Sequence, residues 1–477
     1  MLFIYFIIFA PKFNSCKIYG HKNKGMKKFY DRQHEMDRLT EIQRQAFEDY
    51  SRFVVLTGRR RVGKTSLVYR LMDELREDAP GLYFFVGRKT EASLVRTFCE
   101  EVREKLGEFV PEGIVNFREL FQLLMEIGKR RRFTLFIDEF QEFDNVNDGV
   151  FSDVQELWDR YKKETHVCLI VSGSIFRMME KIFKDEGQPL FGRDDCTITL
   201  LPFSTDTMRE ILADYKPDYT NEDLLALWTV TGGVARYIEQ LMNNQCTNVK
   251  KMLHYVCADG DSFFMDEGNS ILLQEFGKQY GTYYSILDQI AHGDVTQSEI
   301  EASLGMKSLG GQLKVLEEKY NIIHKKRPIG AKIGSQTVRY EIQDNFFRFW
   351  FRYINRYSSL IEIRNMSALE KIMQDDYTTF SGIALERWFR QKMMESCKYK
   401  QIGGWWQSGG INSKGCRDEF EIDIVAEMLD GDVEVYEVKR NPQKYSPNRM
   451  KEKVDALQAH LFRGRNVKMG CLSMEDM

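Results

Sequence analysis

At 477 residues the chain exceeds what one compact core accommodates, and a prior of roughly 100–200 residues per domain divides it into three or four units. Hydrophobic content of 43% and charged content of 29% allow sizeable cores, while a net charge of -3 excludes any chain-wide attraction to nucleic acid, so such contact needs a local patch. The nine cysteines are scattered singly with no C-x-x-C pair, which excludes a zinc ribbon or disulfide framework and fits a reduced, cytoplasmic setting.

Leu2–Ala10 is an apolar run far short of the roughly 20 residues that span a bilayer, and it lacks the basic flank and cleavage site of a signal peptide. Residues 1–25 therefore read as an upstream extension, with a weak membrane anchor as the alternative; domain sequence begins at Met26. No later segment approaches a membrane span. From about residue 50 to 200, five short apolar runs read as buried parallel strands: Phe53–Thr57, Leu82–Val86, Phe133–Ile137, Val167–Val171 and Cys196–Leu200. Helical periodicity fills the intervals, as in Ser66–Glu77 and Ser93–Leu106, and this alternation predicts a parallel α/β sheet. After Pro202 the pattern turns helical, with Asp206–Tyr215 and Asn221–Asn244 the clearest segments.

Gly58-Arg59-Arg60-Arg61-Val62-Gly63-Lys64-Thr65 matches G-x-x-x-x-G-K-[ST] in full, between an apolar strand and a helix. In such a loop the glycines turn backbone N–H groups toward phosphates, and the helix N-terminus adds partial positive charge. The nucleotide-binding set is thus Gly58 through Thr65 with Ser66; Lys64 reaches the β- and γ-phosphates, and the Thr65 hydroxyl holds Mg²⁺. Phe133–Ile137 delivers Asp138 and Glu139 to a strand's C-terminal end, where ligands bind in open α/β sheets. Asp138 is expected in the Mg²⁺ shell, and Glu139 orients or deprotonates the attacking water. One strand, Leu82–Val86, lies between the two motifs, as expected when an extra strand separates them in the sheet.

Tyr283–Ala291, Thr296–Leu304 and Leu309–Lys319 read as three short helices, the second opened by the capping box Thr296-Gln297-Ser298-Glu299. His324 to Tyr340 then carries Lys325, Lys326, Arg327, Lys332 and Arg339 with no acidic residue, and Gly330 and Gly334 suit a hairpin tip. A basic wing beside three helices fits a module gripping duplex phosphates. Gly310-Gly311 weaken the first turn of the third helix and Glu317 and Glu318 sit toward its end, so packing against the ATPase or another subunit is the alternative. The aromatic stretch from Asn345 to Tyr353 has the apolar area of a packing helix between domains, not of a base-stacking platform.

In the last hundred residues a helix is expected around Ile383–Glu395, followed by alternating strands Phe420–Ala426 and Val433–Lys439. Glu437 and Lys439 share a strand face, and hairpin pairing brings Asp423 beside them. Two carboxylates there bind Mg²⁺ through hard oxygens, while Lys439 polarises a water for attack on phosphate. A solvated strand-edge ion pair is the alternative for Glu437 and Lys439.

Taken together these segments resemble a prokaryotic group of AAA+ P-loop ATPases with a helical lid, a winged helix and a C-terminal restriction-endonuclease-like, PD-(D/E)XK domain. The resemblance implies an α/β fold in six segments: an extension at 1–25, an ATPase core at 26–203, a lid at 204–275, a winged helix at 276–345, linker helices at 346–374 and the nuclease-like domain at 375–477. By the same resemblance, Asp31-Arg32-Gln33-His34-Glu35 enters the adenine pocket and Ser172 is the polar sensor near the γ-phosphate. Arg193, in Leu190-Phe191-Gly192-Arg193, resembles an arginine finger, which often acts on a neighbouring subunit's ATP in a homo-oligomer; an ordinary surface or paired arginine is the alternative for it and for Arg236. Arg236, in Thr231-Gly232-Gly233-Val234-Ala235-Arg236-Tyr237, senses the nucleotide, although Ala235 stands where proline is common. Glu386 joins Asp423, Glu437 and Lys439 as the accessory acid of the nuclease-like site. The expected function is ATP hydrolysis controlling DNA binding and a Mg²⁺-dependent nuclease-like domain; the alternative is an ATP-driven switch or assembly protein whose last domain binds without cutting. No helicase motif or ABC-type signature is visible.

Overall fold

The computed structural model describes residues 28–73, 79–174, 176–258, 262–277, 280–293, 295–331, 338–411 and 417–477. The expected extension at 1–25 lies outside the described residues, as do Lys332 and Gly334. Five strands, β1 (Arg52–Gly58), β2 (Gly81–Phe85), β3 (Phe133–Asp138), β4 (Val167–Gly173) and β5 (Cys196–Leu200), form one parallel sheet in the order β2-β3-β4-β1-β5. The apolar runs are continuous because both faces are covered. Phe53, Val55, Leu135, Ile137, Leu169 and Val171 enter one core with Phe98, Phe121 and Trp158. Their alternates Val54, Leu56, Phe136, Cys168 and Ile170 enter a second core with Leu39, Leu67 and Leu71. A side-chain period of two sorts each strand between these layers.

One strand does separate the P-loop strand from the acidic strand, but it is β4; β2, the strand between the motifs in sequence, forms the sheet edge. The segment expected as one helix over Asn221–Asn244 is two helices, Asn221–Thr231 and Ala235–Asn243. Gly232 and Gly233 break it, both at positive φ (58° and 80°), a region that glycine enters without steric cost. Helices Val249–Cys257 and Phe263–Phe276 complete the segment read as a lid.

Three helices follow, Tyr280–His292, Gln297–Leu304 and Gly310–Glu318, then an antiparallel pair β6 (Ile323–Lys326) and β7 (Arg339–Ile342). Thr296 and Glu299 form the reciprocal cap read from the sequence. The aromatic stretch is core: Phe346, Phe347, Phe349, Trp350, Phe351 and Tyr353 are all at most 2% exposed.

The helix expected at Ile383–Glu395 is a 30-residue helix, Met366–Glu395, which runs through the expected boundary at 374/375. It is continuous because Leu369, Met373 and Tyr377 pack into the same core as the lid, and Trp228 of the lid donates from Nε1 to the Ala384 carbonyl at 3.0 Å. Lid, hairpin module and this helix therefore share one core. The last sheet has the order β11-β10-β9-β8, from β8 (Tyr399–Ile411), β9 (Arg417–Met428), β10 (Val433–Lys439) and β11 (Val467–Ser473). Helix Pro447–His460 covers it through Met450, Val454 and Leu457.

The hairpin module docks on this domain. Ile329 is buried among Trp405, Ile422 and Met450, and its N–H donates to the Gly404 carbonyl at 2.8 Å. The expected basic wing is correspondingly engaged within the chain: Lys325 with Glu317 (2.8 Å), Lys326 with Glu341 and Glu386 (3.7 and 3.6 Å), Arg339 with Glu421 (3.2 Å). Of the described wing cations Arg327 is exposed. Among the described residues no helix is long and apolar enough to cross a membrane.

Candidate functional site: a phosphate loop and a carboxylate–lysine cluster

The loop between β1 and helix Lys64–Asp73 turns at Gly58 (φ 145°), where a Cβ would lie 2.5 Å from the Leu200 carbonyl oxygen of the neighbouring strand. No other residue fits there. Lys64 Nζ bends back over the loop and donates to the carbonyls of Gly58 (2.7 Å) and Arg59 (3.0 Å). Burial, which disfavours the charged ammonium, lowers its pKa to about 8, although Glu139 and Asp138 pull the other way. Bound phosphates favour the ammonium, so the Lys64 pKa rises on binding. ATP affinity should then be insensitive to this group below pH 8 and should fall as pH climbs above 8, with a proton taken up on binding in that window. Nucleotide titrations from pH 7 to 9.5 check this; a flat profile would contradict it.

Asp138, at the end of β3, gathers donors from the helix after the P-loop and from two strands, β2 and β4. The Thr65 hydroxyl donates to its Oδ2 at 2.9 Å and the Tyr83 hydroxyl at 3.2 Å, while Ser172 donates to Oδ1. Thr65, Asp138 and Ser172 are thus brought to one point. Glu139 follows in a left-handed conformation (φ 55°), and its Oε2 accepts from Ser174 Oγ at 2.8 Å and Gln141 Nε2 at 2.5 Å. Two serines spaced by two on one strand end therefore hold the two neighbouring acids. Tyr83, Gln141 and Ser174 were missed by sequence reasoning; the register of β2 and β4 against β3 places Tyr83 and Ser174, and the short turn Phe140–Glu142 after β3 places Gln141.

Three arginines, Arg59, Arg60 and Arg61, stand at unspecified positions of the loop. Their side chains do not line the phosphate cradle but reach carboxylates of other modules. Arg61 makes a paired contact with Glu267 (2.8 and 3.1 Å), Arg60 meets Glu275 (3.8 Å) and Gln274, and Arg59 pairs with Asp344. While these pairs stand, Arg59 to Arg61 offer a phosphate their backbone N–H groups alone. Glu275 is partly buried, and desolvation raises its pKa to about 7 despite Arg60 and Arg59. Arg236 pairs with Glu239 (2.6 Å), and its own N–H donates to the Arg61 carbonyl at 3.1 Å, so the lid abuts the loop through backbone. Arg193 sits with Asp159 (3.2 Å) and the Phe191 carbonyl (2.8 Å), and among the described residues neither bond carries it toward the P-loop. Arg32 is buried and donates to the carbonyls of Leu201 (2.6 Å) and Val62 (3.4 Å), which ties the N-terminal segment to the loop.

In the last domain Ile424 lies opposite Tyr436, so Asp423 and Glu437 meet across the β9–β10 pair. Asp423 Oδ2 accepts from the Val438 N–H at 2.8 Å. Lys439 Nζ lies 3.8 Å from Asp423 and 3.4 Å from Glu437. Lys453, from helix Pro447–His460, grips the other Glu437 oxygen. Burial works to raise the Glu437 pKa, but Lys453 and Lys439 outweigh it and hold the carboxyl below its usual range. Glu386 is not joined to this group through its carboxylate, which pairs with Arg390 (2.5 Å) and Lys326 (3.6 Å). Arg390 makes the connection instead, donating to the Asp423 carbonyl at 2.5 Å. No spacing in the sequence points to Lys453 or Arg390.

Residues 29–241 match the model of an ATPase domain predominantly from Archaea, and residues 350–451 match a family of archaeal and bacterial proteins of unknown function. The fold and the loop define the class: the chain is a P-loop ATPase. An uncharacterized protein of Methanocaldococcus jannaschii is 28% identical over 414 residues, covering 83% of this chain and 84% of that protein. A second uncharacterized protein of the same organism is 32% identical over 81 residues, 17% of this chain and 76% of that protein. A Walker-type ATPase of Pyrococcus abyssi shares the fold at 20% identity and a TM-score of 0.52, over 68% of this chain and 96% of that one.

Proposed function

We propose that ATP binding and hydrolysis at the P-loop control the block formed by the hairpin module and the last domain. In this reading the chain is an AAA+-like cytoplasmic ATPase, the hairpin module a winged helix, and the last domain a restriction-endonuclease-like unit acting on DNA. The carrying observation is that Arg59, Arg60 and Arg61 each pair with a carboxylate beyond the ATPase core. A nucleotide brings several negative charges to the same loop, and an arginine cannot satisfy phosphate and carboxylate equally. Occupancy and module position are therefore linked, each biasing the other by the same free energy.

The path onward is physical. Next to Asp344, Asn345 Oδ1 accepts from Arg387 (3.1 Å), which also donates to the carbonyls of Ile342 (2.7 Å) and Gln343 (2.9 Å). Arg387 neighbours Glu386, and one turn on Arg390 reaches the Asp423 backbone. A second tie joins Arg440, beside Lys439, to Glu222 of the lid through two bonds of 2.7 and 2.6 Å. Thr65 and Asp138 would hold Mg²⁺ on the nucleotide side, and Asp423 and Glu437 fit a second Mg²⁺ by their hard oxygen donors. A metal there would supply charge stabilisation at a phosphodiester, with Lys439 placed to hold a water or a phosphate oxygen.

Glu267→Gln removes the competitor for Arg61 and should tighten ATP binding several-fold, on the order of 1 kcal/mol. Unchanged affinity in fluorescent-nucleotide titration would remove the linkage. The nuclease half is tested on supercoiled plasmid with Mg²⁺ or Mn²⁺, with and without ATP. Nicking lost in Asp423→Ala supports it; no nicking by wild type leaves the non-cutting switch, which the internal pairing of Glu437 and Glu386 favours.

A further inference from the structure

Glu437, two residues before the end of β10, has only 7% of its surface exposed, and both of its oxygens meet an ammonium. One belongs to Lys439 on the same strand face. The other, Lys453, comes from a different element. Its helix begins at Pro447, capped by the Ser446 side chain, and packs through Met450, Val454 and Leu457 onto the sheet. That packing sets the angle at which Lys453, next to Val454, crosses the end of β10. Its side chain is 14% exposed, so the stem is covered and the ammonium is directed inward, not out to solvent.

A divalent ion shared by Asp423 and Glu437 needs a carboxylate oxygen at about 2.0–2.6 Å. The Glu437 oxygen bonded to Lys453 cannot serve at the same time, because the ammonium occupies the approach and repels the ion. Lys439 differs, since it faces both Asp423 and Glu437 at 3.4–3.8 Å and stands beside the pair without closing on either.

We propose that Lys453 is a resident counter-cation at the Asp423–Glu437 pair: it and a divalent metal exclude one another on Glu437, so helix Pro447–His460 gates metal loading. The proposal rests on the reading of Asp423 and Glu437 as metal-holding residues. In consequence, anything that draws the Lys453 ammonium away opens the pair; an arriving phosphodiester anion has the charge to do so. Metal entry then follows nucleic acid instead of preceding it.

The test is Mn²⁺ binding by the full chain without nucleotide, read from the electron paramagnetic resonance signal of free Mn²⁺, with the site assigned as the component lost in Glu437→Ala. Lys453→Met keeps the aliphatic stem and its packing while removing the charge, and Lys453→Gln is a second neutral variant should methionine disturb the fold. Either neutral variant should bind Mn²⁺ at that site at least tenfold more tightly than wild type, whereas Lys453→Arg should remain like wild type. Equal affinity in wild type and both neutral variants, with the component still lost in Glu437→Ala, would overturn the gate and leave the metal site standing. Absence of any Glu437-dependent component in every variant would overturn the metal-holding reading, and the gate with it.

Discussion

Lys64→Ala should weaken ATP binding by roughly a hundredfold. Lys64 is the one side-chain cation of the loop that remains within the cradle, since Arg59, Arg60 and Arg61 are held by Asp344, Glu275 and Glu267. A hydrogen bond between charged groups contributes about 1.5–3 kcal/mol, and losing such contacts to the β- and γ-phosphates amounts to two powers of ten or more. The same change should cost the nucleotide-free protein little. Burial already works against the Lys64 charge, as its pKa of about 8 shows, so removing the ammonium relieves a desolvation penalty while releasing two carbonyls. Titration with a fluorescent ATP analogue beside a thermal melt checks both halves. Unchanged affinity would overturn the role of Lys64, and a large loss of stability would show that its bonds to Gly58 and Arg59 matter more than phosphate binding.

Glu139→Gln should lower turnover by about 10²–10⁴-fold and leave ATP affinity within a few-fold of wild type. The prediction follows from the different partners of the two acids: Asp138 takes the Thr65, Tyr83 and Ser172 hydroxyls, while Glu139 stands one residue further, oriented by Ser174 and Gln141. Glutamine preserves the shape and can still accept from Ser174, but it cannot take a proton. Single-turnover and steady-state kinetics separate the outcomes, since a group acting only in the chemical step lowers kcat without raising KM. Loss of affinity with turnover preserved would mean that the two acids have exchanged roles.

Much of the ATPase core was legible in order. Each of the five apolar runs became a strand within two residues of its expected ends, because a strand covered on both faces must be apolar throughout. Where the reading failed, the deciding contact was distant. Helix Met366–Glu395 runs through the boundary expected at 374/375 because its first half packs into the core of the helices after Pro202. The hairpin looked like a free basic wing because its acidic partners, Glu317, Glu341, Glu386 and Glu421, lie outside the stretch that supplies its charge. Glu386 was placed on the right helix, yet its carboxylate is turned to Arg390 and Lys326, a choice that spacing cannot express.

The sequence by itself determined the phosphate loop, the acidic pair at the end of β3 and the types of most elements. Glycine turns, capping boxes and apolar periods are local, and their physics is complete within a dozen residues. Tertiary structure alone decided that β4 stands between the loop and the acidic strand, that Ser174 and Gln141 orient Glu139, and that Lys453 holds Glu437. It also decided what the three arginines at the unspecified positions of the P-loop motif do. The motif constrains the backbone that faces the phosphates and leaves those side chains free, so their partners more than 200 residues away are chosen by how the lid and hairpin module pack.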